Sequence, residues 1–251
     1  MKELHFDSLS PVVAKRFAPF AGDILEGYGG IVHSLHIVGS AVTHDFREKS
    51  SVIHSVIVIS RMDFGFIRFI ASLGRKYAKK GIAAPLIMTP DQIQSSLDAF
   101  PVEFHDFRLI HRTVFGDDIF SGITVENGHL RLQCERDAKA KLIGLRQSYL
   151  SSLGDRKRLI AILSQSIIGC MPLLRALVFL LGKEPPVKRL DAIRVFQEMT
   201  SIDARIFETL LSVRAKSIKP SKEEINHIFE RYYAVLEEIV RVVDDLQQEN
   251  Q

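Results

Sequence analysis

The sequence has little of several features that mark specialised classes of protein. Among its 251 residues there are only two cysteines, Cys134 and Cys170, and no tryptophan. Neither cysteine stands in a CxxC spacing, so we expect no disulfide framework or zinc site, and a reducing compartment fits. No GxGxxG, GxxxxGK[ST], HExxH or GxSxG pattern occurs, which argues against a dinucleotide enzyme, a P-loop NTPase, a zincin and an α/β-hydrolase.

The sequence also lacks a large excess of positive or negative charge. The 33 Lys and Arg residues face 30 Asp and Glu residues, a net charge of +3, so nucleic acid is not indicated as a partner. The first residues lack a basic region followed by an apolar run, so we expect a cytoplasmic protein. The most apolar stretch, Leu159 to Gly182, contains Gln165, Pro172 and Arg175. It therefore predicts buried helices broken near Pro172, with no membrane span or membrane partner.

The first half of the chain alternates between the apolar periods of strands and helices. The order of these patterns is typical of an α/β layer with a mixed sheet. We predict helices over about residues 10–28, 63–80 and 89–99, and strands over 34–38, 52–59, 83–88 and 102–109.

The second half has helical periodicity throughout and little strand pattern. Helices are predicted over about residues 129–151, 155–181, 186–199, 202–216 and 221–248, and five antiparallel helices form a bundle. We therefore expect an α/β domain over residues 1–127 and a helical bundle domain over residues 128–251. If part of the apolar stripe on the last helix were exposed, it would suit a homodimer or a partner helix.

The strand ending in Leu35-His36-Ile37-Val38-Gly39-Ser40 carries the most informative motif. Glycine lets a ligand approach the main chain, and a Gly-Ser turn can present N–H groups and a hydroxyl to a phosphate. By itself the dipeptide is also an ordinary turn in which Ser40 caps a helix.

The context of this motif resembles the nucleotidyltransferase superfamily, which has the DNA-polymerase-β-like fold. In that family a strand ending in Gly-Ser is followed by a strand reading Ser-Asp-Ile-Asp, and an all-helical second domain is common. The resemblance covers about residues 30–110 and extends to the runs 111–117 and 130–135, which look like the domain junction of bacterial members. It implies nucleotide binding and, in active members, two Mg²⁺ ions held by the paired acids.

The chain departs from the family at the metal-binding positions. It reads Ser51-Val52-Ile53-His54, so valine and histidine replace the two acids. Mg²⁺ requires hard oxygen ligands in near-octahedral array, and valine and imidazole supply none. We therefore predict no metal site and no cofactor, with Gly39, Ser40 and His54 among the nucleotide-binding residues.

Other acidic residues leave an alternative open. Glu103, on the strand predicted over 102–109, is the best candidate for the family's third carboxylate, and Asp45 and Asp63 lie in loops around the degenerate strand. With these three as displaced catalytic carboxylates the chain would remain an active, Mg²⁺-dependent nucleotidyltransferase.

Basic residues on the helix predicted from His129 complete the candidate site. Arg136, Lys139 and Arg146 either form a solvated charged face or border an interdomain cleft and attract phosphate. Three functions follow: a catalytically degenerate protein that binds a nucleotide or phosphate-bearing small molecule in that cleft, the displaced-carboxylate transferase, or a dimerising interaction scaffold.

Overall fold

The chain divides into two compact units between Val125 and Glu126. Its structure is a computed structural model that describes residues 3–248. The terminal residues of both predicted domains, 1–2 and 249–251, lie outside this range. The division falls two residues before the boundary expected from the sequence.

The first unit is a mixed four-stranded sheet with helices. Its order is α1 (Pro11–Tyr28), β1 (Val32–Val38), a short 3₁₀ turn (Gly39–Val42), β2 (His54–Ile59), α2 (Phe64–Ala78), β3 (Leu86–Met88), α3 (Pro90–Gln94), α4 (Pro101–Leu109) and β4 (His111–Gly116). The strands lie in the order β3-β2-β1-β4. β1 pairs antiparallel with β2 and β4, and β2 pairs parallel with β3, so the predicted mixed sheet is confirmed.

Two helices cover one face of this sheet. α1 begins where the Ser10 hydroxyl accepts a hydrogen bond from the Val13 N–H and Pro11 takes the first helical position, both of which favour helix initiation. α2 begins at Asp63, whose carboxylate accepts a hydrogen bond from the Gly65 N–H. Their buried residues pack on Leu35, Ile37 and other sheet residues of the same face in one hydrophobic core. The opposite sheet face is therefore the one left for a site.

The prediction of a strand over residues 102–109 is wrong, because this segment forms α4. The period-two pattern of Val102 and Phe104 suggested a strand. The buried residues Pro101, Val102, Phe104 and His105 instead follow helical spacing, and Pro101 occupies the first helical position, where proline is favoured. Glu103 consequently lies in the first turn of a helix and not on a strand.

The second unit is a helical bundle, as predicted. Its helices are α5 (Asn127–Ser152), α6 (Arg156–Leu180), α7 (Arg189–Thr200), α8 (Arg205–Arg214) and α9 (Lys222–Gln248). α6 contacts each of the other four. It continues through Pro172, so the break expected there is absent. The burial of residues on both sides of Pro172, such as Cys170 and Leu174, offsets the hydrogen bond that proline removes.

Among the described residues, α6 is the one helix long and apolar enough to cross a membrane. Its most apolar window has a mean hydropathy of 1.7, and 56% of that window is buried inside the protein. Arg175 lies within this helix and is 4% exposed. These features are typical of a helix in the core of a bundle.

Gly116 provides a test of the sheet. Its φ is +79°, and a Cβ added to it would lie 2.8 Å from the Ser34 Cα. We expect Gly116→Ala to lower the free energy of unfolding by about 2–3 kcal/mol, because strain and overlap add at this position. Urea unfolding followed by circular dichroism measures the change.

Gly74→Ala is the matched control. Gly74 lies inside α2, and a Cβ there would meet no atom within 4 Å. Alanine should therefore stabilise this helix by about 0.5–1 kcal/mol. Equal effects of the two substitutions would contradict the role assigned to Gly116.

Candidate functional site

The candidate site begins where β1 ends. Gly39 has a φ of +69°, a conformation that favours glycine, and a Cβ added there would meet nothing within 4 Å. Its N–H donates to the Ile110 carbonyl at 3.1 Å, which ties the turn to the start of β4. Ser40 is partly exposed in the 3₁₀ turn that follows. The main chain is thus open to a ligand at this bend.

A row of side chains crosses the sheet beside the turn. Val38 is paired with His54 of β2 on one side and with His111 of β4 on the other. Directly paired residues share a sheet face, so the two histidines flank Val38, with their backbones about 10 Å apart at the usual strand spacing. His54 is exposed, whereas His111 is buried.

The donors in this part of the sheet do not fit Mg²⁺. Val52 and His54 are the residues that the sequence resemblance aligns with the family's paired acids, and the strands on either side, β1 (Val32–Val38) and β3 (Leu86–Met88), contain no Asp or Glu. Within residues 3–248 no group of three or more His, Cys, Asp or Glu side chains could hold a metal ion. Hard-cation chemistry therefore has no ligand set here.

A buried polar cluster occupies the same sheet face. We call Ser34, His36, Thr113, His111 and Asp118 the sheet-face cluster. The His36 ring nitrogens lie 2.7 Å from Ser34 Oγ and 2.9 Å from Thr113 Oγ1. Because hydroxyls donate or accept, a neutral His36 is satisfied at both nitrogens.

The remaining members of the cluster, His111 and Asp118, form a hydrogen-bonded pair that we call the clip. His111 Nδ1 lies 2.7 Å from the Phe107 carbonyl oxygen, and Nε2 lies 2.8 Å from Asp118 Oδ1. Ser121 donates to the same carboxylate through its hydroxyl and its N–H. The clip fixes the start of β4, which also receives the Gly39 hydrogen bond.

Burial and neighbouring charge set the protonation states in the cluster. Burial, and to a smaller extent the neighbouring His111, lowers the pKa of His36 from 6.5 to about 4. Burial raises the pKa of Asp118, but hydrogen bonds from Ser121 and His111 outweigh it and bring that pKa down to about 2. At neutral pH the sheet face therefore holds a neutral His36 and an ionised Asp118.

This cluster was not predicted from the sequence. The sequence does place its polar residues two positions apart on each strand, Ser34 and His36 on β1 and His111 and Thr113 on β4, which puts each pair on one strand face. The pairing of β1 with β4 was needed to bring the two pairs together.

The displaced carboxylates are dispersed. Asp63 follows Ile59, at the end of β2 away from the Gly39 turn, a separation of about 17 Å at the usual rise per strand residue, and it caps α2 by accepting from Gly65 N. Glu103 is exposed in the first turn of α4, roughly 10 Å along the helix from Ile110. Asp45 lies in the loop after the 3₁₀ turn. Among the described residues, these three carboxylates do not form a group that could hold a metal ion.

The basic candidates on α5 have partners within the second unit. Lys139 bridges Glu135 at 2.7 Å and Asp244 of α9 at 2.8 Å. Arg146 donates to the Tyr233 hydroxyl and lies over that ring. Arg136 is largely exposed and lies 3.5 Å from Asp137. Two of the three therefore help to join α5 to α9.

His36 makes the stability of the first unit depend on pH. Because its pKa is lower in the folded state, the unfolded chain binds a proton first as the pH falls from about 6.5 to about 4. Unfolding should become easier over this window, by on the order of 3 kcal/mol when the whole shift is counted. His36→Gln, which does not titrate, should flatten this part of the profile of unfolding free energy against pH. An unchanged slope in the variant would contradict the assignment.

Comparison with known proteins identifies the fold. Neither a protein-family model nor a curated protein sequence matches the chain. Its structure is similar to the crystal structure of spectinomycin adenyltransferase from Enterococcus faecialis with ATP and spectinomycin, with a TM-score of 0.55 and 11% identity over 89% of this chain and 99% of that one. At this identity the likeness shows the fold. The chain therefore has a nucleotidyltransferase fold followed by a helical bundle, as its sequence motifs indicated.

Proposed function

We propose that the protein binds a nucleotide or another phosphate-bearing small molecule at the Gly39–Ser40 turn and does not transfer a nucleotidyl group. One observation carries the proposal. Beside an intact Gly-Ser turn, Val52 and His54 stand where the resembled family holds its metal ions, and neither flanking strand supplies an acid.

Phosphate binding is supported by the chemistry of the turn. The Gly39 main chain is open on its ligand side, and Ser40 and the exposed His54 supply a hydroxyl and an imidazole. The Gly39 N–H is already bonded to the Ile110 carbonyl, so the Ser40 hydroxyl and the His54 imidazole are the groups that would bond phosphate oxygens. The structurally similar adenyltransferase was solved with ATP, which favours a nucleotide among the phosphate-bearing ligands.

Absence of transfer is supported by the electrostatics of the reaction. A metal ion neutralises the charge that develops on the phosphoryl oxygens and activates the attacking hydroxyl. At this sheet face the chain offers His54 and the His111–Asp118 clip, whose partners are already engaged. We therefore assign binding, and not catalysis, to this site. The alternatives remain the displaced-carboxylate transferase and the interaction scaffold.

Calorimetric titration with nucleoside mono-, di- and triphosphates tests the proposal. We expect binding of at least one of them, equally strong with Mg²⁺ and with a chelator, and weakened about tenfold by Ser40→Ala through the loss of a hydrogen bond to a charged group. No pyrophosphate should be released. Heat from none of the ligands would favour the scaffold, and Mg²⁺-dependent pyrophosphate release would favour the transferase.

Restoring the acids gives the converse test. In a Val52→Asp, His54→Asp double variant, the two carboxylates would share one sheet face beside the Gly39–Ser40 turn. Mg²⁺ should then raise the affinity for a nucleoside triphosphate at least about tenfold. The control is Val52→Asn, His54→Asn, which adds polar side chains of similar size without charge. A metal effect in the control, or in neither variant, would contradict the assignment of these positions.

A further inference from the structure

One end of the helical bundle carries an unusual surface. It is formed by the turn between α5 and α6 and by the loop between α8 and α9. The two are adjacent, because Arg156 donates to the Pro220 carbonyl and the Tyr149 hydroxyl donates to Asn226 Oδ1. We call this region the end surface.

Apolar side chains project from the end surface into solvent. Leu153 is 85% exposed and Leu150 is 72% exposed, and Ile218 on the neighbouring loop is 41% exposed. Leu153 has a φ of +53°, a left-handed conformation that is unfavourable for residues other than glycine. Leu153 is the left-handed residue that ends α5, and the turn carries its side chain into solvent.

Cations outnumber acids on the two segments that carry these leucines. Three acids lie there: Asp155 caps α6 by accepting from Arg158 N, Glu224 accepts from Ser221 N, and Glu223 is exposed in the first turn of α9. Six cations lie on the same segments, and none of them forms an ion pair within the described residues. They are Arg156, Lys157, Arg158, Lys216, Lys219 and Lys222. The end surface is therefore net positive as well as apolar.

From this combination we infer that the end surface docks peripherally on an anionic phospholipid membrane. Basic side chains are attracted to the headgroups, and Leu150 and Leu153 enter the boundary between headgroups and acyl chains. The inference concerns a different unit from the Gly39–Ser40 turn. It also departs from the sequence-based expectation of no membrane partner, because the apolar and basic residues of the end surface come from two segments that are far apart in the sequence.

The chemistry favours a membrane over other occupants. Exposed leucines add nothing to contacts with a phosphodiester backbone, for which arginine and aromatic residues are better suited. A partner helix would need a groove, whereas Leu153 lies at the tip of a turn. A surface that combines projecting aliphatic side chains with an excess of cations matches an anionic bilayer on both counts.

Vesicle co-sedimentation of the full chain tests the inference. Vesicles of phosphatidylcholine alone and of phosphatidylcholine with phosphatidylglycerol are compared at low and high salt. We expect binding to the anionic vesicles only, weakened by salt because the attraction is screened. Leu150→Ser with Leu153→Ser should lower the partition coefficient at least about tenfold through lost apolar burial. Lys157→Gln with Lys219→Gln and Lys222→Gln should lower it by about a hundredfold.

Matched variants separate the end surface from general stickiness. Leu132 and Ile143 are 58% and 54% exposed and lie earlier on the same helix, so Leu132→Ser with Ile143→Ser should leave binding unchanged. Lys15→Gln, Lys49→Gln and Lys79→Gln remove three exposed cations from the first unit and should have a small effect. Circular dichroism confirms that each variant is folded.

Several outcomes would overturn the inference. They are no binding to anionic vesicles, binding that the leucine pair does not affect, and equal losses in the control variants. Binding to an oligonucleotide that competes with vesicles and ignores the leucine pair would assign the surface to nucleic acid. A dimer seen by light scattering and dissolved by the leucine variant, without vesicle binding, would make the surface a contact between two copies.

Discussion

The pairing of β1 with β2 and β4 is the constraint on which the candidate site depends. It places His54, Val38 and His111 in one row and ends β1 at Gly39 beside that row. Because side chains alternate between sheet faces, a slip of one residue would turn Leu35 and Ile37 away from the core formed with α1 and α2 and onto the face that holds His36. The burial of these two residues therefore fixes which side chains face the ligand.

The sequence predicted the elements with strong periodicity and missed those that depend on pairing. α1, α2 and the five bundle helices have apolar faces and start signals such as Ser10-Pro11 that are local. Residues 102–109 carry a short apolar pattern compatible with two periods, and only burial against the sheet distinguishes them. Pro172 predicted a helix break because proline removes a backbone hydrogen bond. The tertiary contacts that hold α6 together are not visible in the sequence around Pro172.

The site was predictable in its composition and not in its full geometry. The Gly39–Ser40 turn and the replaced acids are read directly from contiguous residues. The sheet-face cluster joins residues 77 positions apart, as in the bond between His36 and Thr113, and no local pattern specifies that pairing. For the basic residues on α5, residue type alone suggested a role that their contacts do not favour. Lys139 and Arg146 could bind phosphate by their charge, but each has a partner on α9.

The replacement of the acids by Val52 and His54 changes the electrostatics of this part of the sheet. Two carboxylates on adjacent same-face positions of a strand repel each other unless a cation lies between them. Val52 removes one charge, and His54 offers an imidazole in place of the other, so this part of the sheet is stable without an ion. The polar groups on the buried part of this face also have partners, since a neutral His36 bonds two hydroxyls and Asp118 is paired with His111. Under the proposed function, a ligand at the Gly39–Ser40 turn would be held by hydrogen bonds from Ser40 and His54 without a bridging metal ion.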